Sequence, residues 1–190
     1  KLGRTLLVFP SHGIIGVTAT FNNDEFIEEI ERVRKDFDTV LISLYWTDVL
    51  KPDLVASYEA LGYKIVTSGH RFDLNFLSRQ KSFIELADYT MSNNLGTHVG
   101  YCIHLNKPHY IFQQRVFYDA KDQKTQKHLS DASNQDNNLT YEWELKEICE
   151  AFNQYEIDIT EKQREIVEEY WGESYIRTPE ELRNLLRYSK

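Results

Sequence analysis

Small, hydroxylated and basic residues cluster in the segment Ser92-Asn-Asn-Leu-Gly-Thr-His98. The segment joins a predicted strand to a predicted helix, where backbone N–H groups have no helical partner. Such groups, together with the positive end of the helix dipole, favour an anion such as a phosphate. Gly96 would let the phosphate approach the backbone, Thr97 would donate from its hydroxyl, and His98 would add a hydrogen bond or a positive charge. The alternative is that Ser92 or Thr97 caps the helix and Gly96 only makes the turn.

Two further segments follow predicted strands and are expected at the same edge of the sheet, because ligands of open parallel sheets bind outside the carboxyl ends of the strands. The segment Ser11–Gly16 lacks both the G-x-G-x-x-G and the G-K-[ST] patterns, so a nicotinamide or ATPase site is poorly supported. Its His12 and Gly13 either face a ligand or form an ordinary loop. In the second segment, Ser68–Asp73, Ser68 and His70 either form a turn at a strand end or contact a base or ribose.

The sequence predicts no metal site and no cofactor. His98, His104, His109 and His128 fall on different predicted elements and do not pair at metal-ligand spacing with a nearby acid. A nucleophile is equally hard to identify, because the chain has no G-x-S-x-G elbow. Its 2 cysteines exclude a disulfide framework and a four-cysteine metal site, and we expect both thiols to be buried and reduced.

Length and composition indicate one ordinary globular domain. The chain has 190 residues, of which 41% are hydrophobic and 27% charged, and no apolar run is long enough to span a membrane. A formal net charge of -8 argues against a nucleic-acid surface, which would need clustered Lys and Arg. Any phosphate must therefore be held locally, and we expect a cytoplasmic protein with no transmembrane segment.

Strands and helices alternate over the first 112 residues. Short β-favouring runs predict strands, and apolar residues at helical spacing predict helices that begin at capping residues. This order is typical of a Rossmann-like, doubly wound α/β fold, in which helices cover both faces of a parallel sheet. The predicted strands are 5–9, 39–45, 63–67, 89–91 and 109–112, and the predicted helices are 23–37, 52–61, 74–87 and 99–105. A loop is expected over 11–23, and Asn23 or Asp24 is expected to cap the first helix.

The remainder of the chain has a different character. Residues 119–140 are polar and predict a loop, and helices are expected over 142–152, 161–170 and 179–186 within a terminal helical region, 142–190. The only methionine is Met91, so the chain lacks an initiator residue. We therefore expect a single domain, 1–190, that is a piece of a larger protein.

The segment 87–112, ADYTMSNNLGTHVGYCIHLNKPHYIF, resembles the carboxyl-terminal half of a GT-B glycosyltransferase of bacterial surface or capsular polysaccharide synthesis. Such domains tend to place Gly-Thr-His between a strand and a helix and Lys-Pro before the next strand. The terminal YWGE and TPEEL, at 170–173 and 178–182, resemble the closing helices of the same group. The likeness covers residues 5–112 and 160–186.

The resemblance implies a domain that holds a nucleotide-sugar donor linked to UDP, GDP or CMP. The diphosphate would contact Ser92, Gly96, Thr97 and His98, with His12 and Gly13 facing it from the first loop. The predicted ligand-binding set is completed by Asn93, Ser68 and His70.

The chain also departs from that family. It lacks the E-x7-E donor signature of many retaining enzymes, and the amino-terminal acceptor domain is missing, so the isolated piece is expected to bind without turnover. The catalytic residues are unknown. Alternatives are half of a GT-B-like sugar epimerase or of a pyruvyl or phosphate transferase, and a non-enzymatic α/β interaction module. The expected location is the cytoplasm, including the inner face of the membrane.

Overall fold

The computed structural model of the chain describes residues 1–127 and 139–187. Its strands are β1 Thr5–Phe9, β2 Val17–Thr20, β3 Thr39–Ser43, β4 Lys64–Val66, β5 Tyr89–Ser92, β6 His109–Ile111 and β7 Phe117–Ala120. Its helices are α1 Asn23–Arg34, α2 Pro52–Glu59, α3 Phe76–Leu86, α4 His98–His104, α5 Leu139–Phe152, α6 Glu161–Trp171 and α7 Pro179–Arg187, with a 3₁₀ turn at Glu173–Tyr175.

The central sheet has five strands in the order β4-β3-β1-β5-β6, and every neighbouring pair is parallel. After β1, the chain forms β3 and β4 on one side of that strand, and it then forms β5 and β6 on the other side. The strand order therefore reverses between β1 and β5, which is the point where open α/β sheets form a crevice for ligands. The predicted Rossmann-like α/β fold is confirmed.

Alternation along β1 shows how both faces are covered. Leu6 and Val8 face a core built with α1 and α2, whereas Leu7 and Phe9 face a second core built with α3 and α4. A third apolar cluster joins α4 to the terminal helices α5 and α6. Because both faces are buried, β1 consists of a run of apolar residues after Thr5 rather than an alternating pattern.

Several local signals in the sequence are confirmed. Gly62 follows α2 with a φ of 78°, the left-handed conformation expected of a glycine there. Thr160 opens α6 with a capping box, in which its side chain accepts from the Gln163 N–H. Thr178 and Glu181 form the same reciprocal pair at the start of α7. The expected cap of α1 at Asn23 or Asp24 is wrong, because Asn22 is the cap and its side chain accepts from the Glu25 N–H.

The structure differs from prediction around a small second sheet. β2 lies inside the segment 11–23, for which a loop was expected, and it pairs in antiparallel fashion with β7. The predicted polar loop 119–140 overlaps the end of β7, and residues 128–138, including His128, lie outside the described part of the chain. The pairing joins residues about a hundred positions apart, and so short-range patterns could not reveal it.

The terminal helices pack close to α4. The Trp171 ring lies over Gly100, where an added Cβ would come within 2.3 Å of its Cδ1 atom. Nearby, the His104 Nδ1 atom is 3.0 Å from a carboxylate oxygen of Glu173. No helix within residues 1–127 and 139–187 is both long enough and apolar enough to cross a membrane.

Candidate functional site

A cleft of about 410 Å³ opens at the carboxyl edge of the central sheet. Its walls come from the loops that follow β1, β3, β4 and β5, so it lies at the reversal of strand order. This volume is within the usual range of small-molecule sites. Of the predicted ligand-binding residues, the structure brings His12, Ser68, Gly96, Thr97 and His98 together in the lining of this cleft.

The charge of the cleft differs from that of the chain. The chain carries 30 Asp and Glu residues against 22 Lys and Arg, yet no Asp or Glu is among the described residues that line the cleft. Arg71 is among them, and its guanidinium lies over the Phe72 ring with 4.9 Å to the centroid. Within the part of the chain that the structure describes, Arg71 forms no ion pair with a carboxylate. An anion is therefore the kind of ligand that this lining suits.

His98 is the most unusual polar group of the cleft. Its ring stacks on Phe9 with 4.6 Å between centroids and covers the Cα of Gly96, where an added Cβ would lie 2.6 Å from the His98 Cε1 atom. Burial, with a smaller contribution from His12, lowers the pKa of His98 to about 3. The ring is therefore neutral near pH 7 and offers a hydrogen bond rather than a positive charge.

The Nε2 atom of His98 is buried and has no hydrogen-bond partner among the described residues. An unpaired buried nitrogen costs free energy, about 1–3 kcal/mol, unless a ligand or water pairs with it. The ring lines the cleft, but its Nε2 atom is buried, so a ligand would pair with that atom only after the ring or its neighbours move.

Thr97 occupies the N-cap position of α4, but its side chain makes no capping hydrogen bond. The Val99 N–H instead donates to the Gly96 carbonyl at 3.1 Å. Ser92 does not cap this helix either, since its hydroxyl donates to the Asn94 carbonyl at 2.8 Å. The exposed Thr97 hydroxyl therefore remains available to a ligand, and the capping explanation of this segment loses support.

Ser92 and Asn93 lie behind the cleft rather than in its lining. The Asn93 Oδ1 atom accepts from the Ser11 N–H at 2.7 Å, and the Asn93 Nδ2 group donates to Gln114 Oε1 at 3.1 Å. Asn93 thus fastens the loop after β1 to the segment that follows β6. In this structure both residues position the cleft walls instead of facing its interior.

The loop after β1 carries both ligand-facing and structural features. The His12 ring stacks on Tyr45 with 4.5 Å between centroids, and its Nδ1 atom is 2.7 Å from the Gly13 carbonyl oxygen. Gly13 itself does not line the cleft. A Cβ at that position would lie 2.0 Å from the Val17 carbonyl oxygen, and so the glycine is needed for the close approach of β2.

Arg79 of α3 fixes the turn that follows β4 through hydrogen bonds. The Arg79 guanidinium donates to the Ser68 carbonyl at 2.9 Å and to the Asp73 carboxylate at 3.1 Å. Ser68 lines the cleft, whereas His70 does not: its ring faces Trp46, with 5.4 Å between centroids, and its Nδ1 accepts from the Phe72 N–H.

Several residues of the lining were not predicted from the sequence, above all Arg71, Tyr45 and Gln80. Tyr45 and Arg71 lie in the loops that follow β3 and β4, and that position was the available signal. Gln80 lies on α3, and its inward direction depends on how that helix packs.

Neither cysteine is placed for nucleophilic chemistry. Cys102 and Cys149 are free and buried, as expected, and burial raises the pKa of the Cys102 thiol to about 12. Outside the undescribed residues 128–138 and 188–190, no group of three His, Cys, Asp or Glu side chains is arranged to hold a metal ion. Comparison with known proteins found no matching family model, no matching curated protein and no matching solved structure.

Proposed function

We propose that this chain is a nucleotide-sugar-binding domain and that its ligand occupies the cleft at the carboxyl edge of the sheet. The observation that carries the proposal is a lining without acidic residues, and with Arg71, in a chain whose net charge is -8. A cleft that lacks acidic groups and carries an arginine, in a chain that is negative overall, suits a ligand with concentrated negative charge, such as a diphosphate.

The phosphate end of the ligand is proposed to lie at the Gly96–His98 turn. The neutral His98 ring supplies a hydrogen bond, Thr97 supplies its free hydroxyl, and Arg71 supplies the charge. If the complete protein transfers a sugar, these groups would also stabilise the charge that develops on the departing nucleotide diphosphate.

The assignment to a glycosyltransferase of surface polysaccharide synthesis is also a proposal and rests on the sequence resemblance alone. It requires an acceptor-binding domain to complete the reaction centre, and the sugar epimerase and the pyruvyl or phosphate transferase share the same ligand half. The products of the reaction distinguish these enzymes. When the whole protein is incubated with a nucleotide-sugar, a glycosyltransferase should release a nucleoside phosphate as it transfers the sugar. An epimerase should invert one stereocentre of the sugar without such a transfer.

Calorimetry with UDP, GDP and CMP tests the binding proposal directly. We expect saturable heat with at least one nucleotide, and stronger binding of the diphosphate than of the corresponding nucleoside. Absence of saturable heat with all of them removes the proposal. Combined replacement Thr97→Ala and His98→Gln should weaken binding while the domain stays folded.

The role of Arg71 has a matched control in Arg115. Each guanidinium lies over a nearby phenylalanine ring, with 4.9 Å and 4.8 Å to the centroid, but only Arg71 lines the cleft. Arg71→Gln should weaken diphosphate binding about 10-fold to 100-fold, the equivalent of one charge-assisted hydrogen bond. Arg115→Gln changes the net charge equally and should leave affinity nearly unchanged; equal losses would mean that overall charge, not the cleft, controls binding.

A second candidate function is a module that docks a partner protein. It is favoured by exposed apolar side chains at the start of α3 and just before it, where Phe72, Leu74 and Leu77 are 76%, 100% and 62% exposed. The concave shape of the neighbouring cleft favours the small ligand. Replacement of Leu74 by Ser separates the two candidates, since it should weaken a protein contact and leave nucleotide affinity unchanged.

A further inference from the structure

His109 is buried between two hydroxyl groups of β5. Its Nδ1 atom is 2.8 Å from Thr90 Oγ1, and its Nε2 atom is 3.0 Å from Ser92 Oγ. Each hydroxyl also lies within hydrogen-bonding distance of a carbonyl oxygen: Thr90 of Pro108 at 3.0 Å, and Ser92 of Asn94 at 2.8 Å. Four contacts thus run in series from the Pro108 carbonyl, through the imidazole, to the Asn94 carbonyl.

The series has more contacts than protons. Each hydroxyl supplies one hydrogen and a neutral imidazole supplies one, so only three of the four contacts can be hydrogen bonds at a time. Burial, with a smaller contribution from His98, holds the pKa of His109 well below its usual range. A fourth proton is therefore not supplied near pH 7, and one contact must remain unmade.

Two arrangements of the three protons keep both ring nitrogens hydrogen-bonded. With the proton on Nδ1, the imidazole donates to Thr90 and accepts from Ser92, and the Asn94 carbonyl loses the Ser92 hydroxyl. With the proton on Nε2, the imidazole donates to Ser92, Ser92 donates to the Asn94 carbonyl, and Thr90 turns from the Pro108 carbonyl to Nδ1.

The two arrangements differ in what they leave unpaired. The Pro108 carbonyl also accepts from the Thr90 backbone N–H at 2.9 Å, so it keeps a hydrogen bond when the hydroxyl turns away. For the Asn94 carbonyl, the Ser92 hydroxyl is the donor found among the described residues. The arrangement with Nε2 protonated therefore leaves both carbonyl groups with a donor among the described residues, whereas the other leaves the Asn94 carbonyl without one.

We infer that His109 is the neutral Nε2–H tautomer and acts as a positioning residue, directing the Ser92 hydroxyl to the Asn94 carbonyl and so fixing the wall of the cleft. Asn94 lines the cleft, whereas Pro108 lies at the far end of β6. The effect on ligand affinity rests on the proposed nucleotide-binding function; the tautomer itself does not.

Long-range ¹⁵N–¹H correlation spectra of histidine-labelled protein test the tautomer. The His109 signal is assigned by its loss in His109→Gln or, if that variant does not fold, by single replacement of the other histidines. We expect a protonated Nε2 and an unprotonated, hydrogen-bonded Nδ1 from pH 6 to 8. A protonated Nδ1, or an imidazolium ion in this range, overturns the inference.

Ser92→Ala and Thr90→Val test the positioning role as a matched pair. Each removes one buried hydroxyl from His109, and we expect similar falls in thermal stability. Ser92→Ala should also weaken nucleotide binding roughly 5-fold, the equivalent of about one hydrogen bond, because only Ser92 reaches the cleft wall. Thr90→Val should leave affinity nearly unchanged.

Equal losses of affinity in the two variants would overturn the positioning role. If Ser92→Ala does not fold, Ser92→Cys keeps the size of the side chain with a weaker donor, and the same comparison applies. Absence of nucleotide binding by the unmodified chain removes the proposed function, while the spectra still decide the tautomer.

Discussion

Replacement of Asn93 by Ala offers the sharpest test of how the cleft is held. The sequence predicted Asn93 to be a ligand-binding residue, but its side chain is fully buried and lies outside the lining of the cleft. Its amide joins the Ser11 N–H to Gln114 Oε1. The Gln114 amide in turn donates to the Asn22 carbonyl and to Glu25, so the connection extends to the start of α1.

The expected magnitude follows from two lost hydrogen bonds. Alanine leaves the Ser11 N–H and Gln114 Oε1 without their partner, and each unsatisfied buried group costs about 1–3 kcal/mol. A reduction in the free energy of unfolding of about 2–4 kcal/mol is therefore expected, allowing for partial relaxation of the exposed loop. For a chain of this size the melting temperature should fall by roughly 5–15 °C.

Chemical denaturation followed by circular dichroism measures this change. Asn153→Ala is the control, because Asn153 is exposed and accepts one hydrogen bond from the adjacent Gln154. The control should change stability by less than about 0.5 kcal/mol. If Asn93→Ala unfolds at the same denaturant concentration as the unmodified chain, the buried amide does not fasten the two loops and the positioning argument fails.

Three further predictions concern packing and protonation. Gly13→Ala should lower the melting temperature, because the new Cβ would lie 2.0 Å from the Val17 carbonyl oxygen. Gly100→Ala should also lower it, despite the better helix propensity of alanine, because the methyl group overlaps the Trp171 ring at 2.3 Å; added Trp171→Ala should recover part of the loss in a double-mutant cycle. Burial lowers the pKa of His98 to about 3, below its ordinary value of 6.5, so the unfolded state binds more protons between these values. Stability should therefore fall as the pH drops from about 6.5 toward 3, and His98→Phe should flatten this dependence in denaturation curves measured across that range.

Local signals in the sequence were sufficient for most of the fold. Apolar runs such as the one from Thr5 to Phe9 predicted buried strands, and Thr160, Thr178 and Gly62 correctly indicated helix ends. These features depend on interactions between residues that are close together in the chain, so the residue types in a single sequence are enough to indicate them. The regular alternation of elements then favoured a parallel sheet, and the convergence of three loops at one edge followed from that topology.

The remaining features depend on contacts between distant segments. The pairing of β2 with β7 and the direction of Gln80 are determined by tertiary packing, so neither leaves a short-range pattern. Gly96 was predicted to admit a phosphate, whereas the His98 ring covers its Cα. The sequence did not show that His98 would cover Gly96, because the direction of the His98 ring depends on its stacking with Phe9.

The strand-to-helix turn has two parts with different physical roles, and Asn94 is the boundary between them. Before it, Ser92 and Asn93 are buried and their polar atoms are engaged with other parts of the chain. After it, Thr97 and His98 face the cleft, one with a hydroxyl that caps nothing and one with an unpaired nitrogen. The satisfied groups contribute to stability, whereas the unsatisfied ones leave interaction energy available to a ligand. Replacements before Asn94 should therefore act first on unfolding, and replacements after it should act first on affinity.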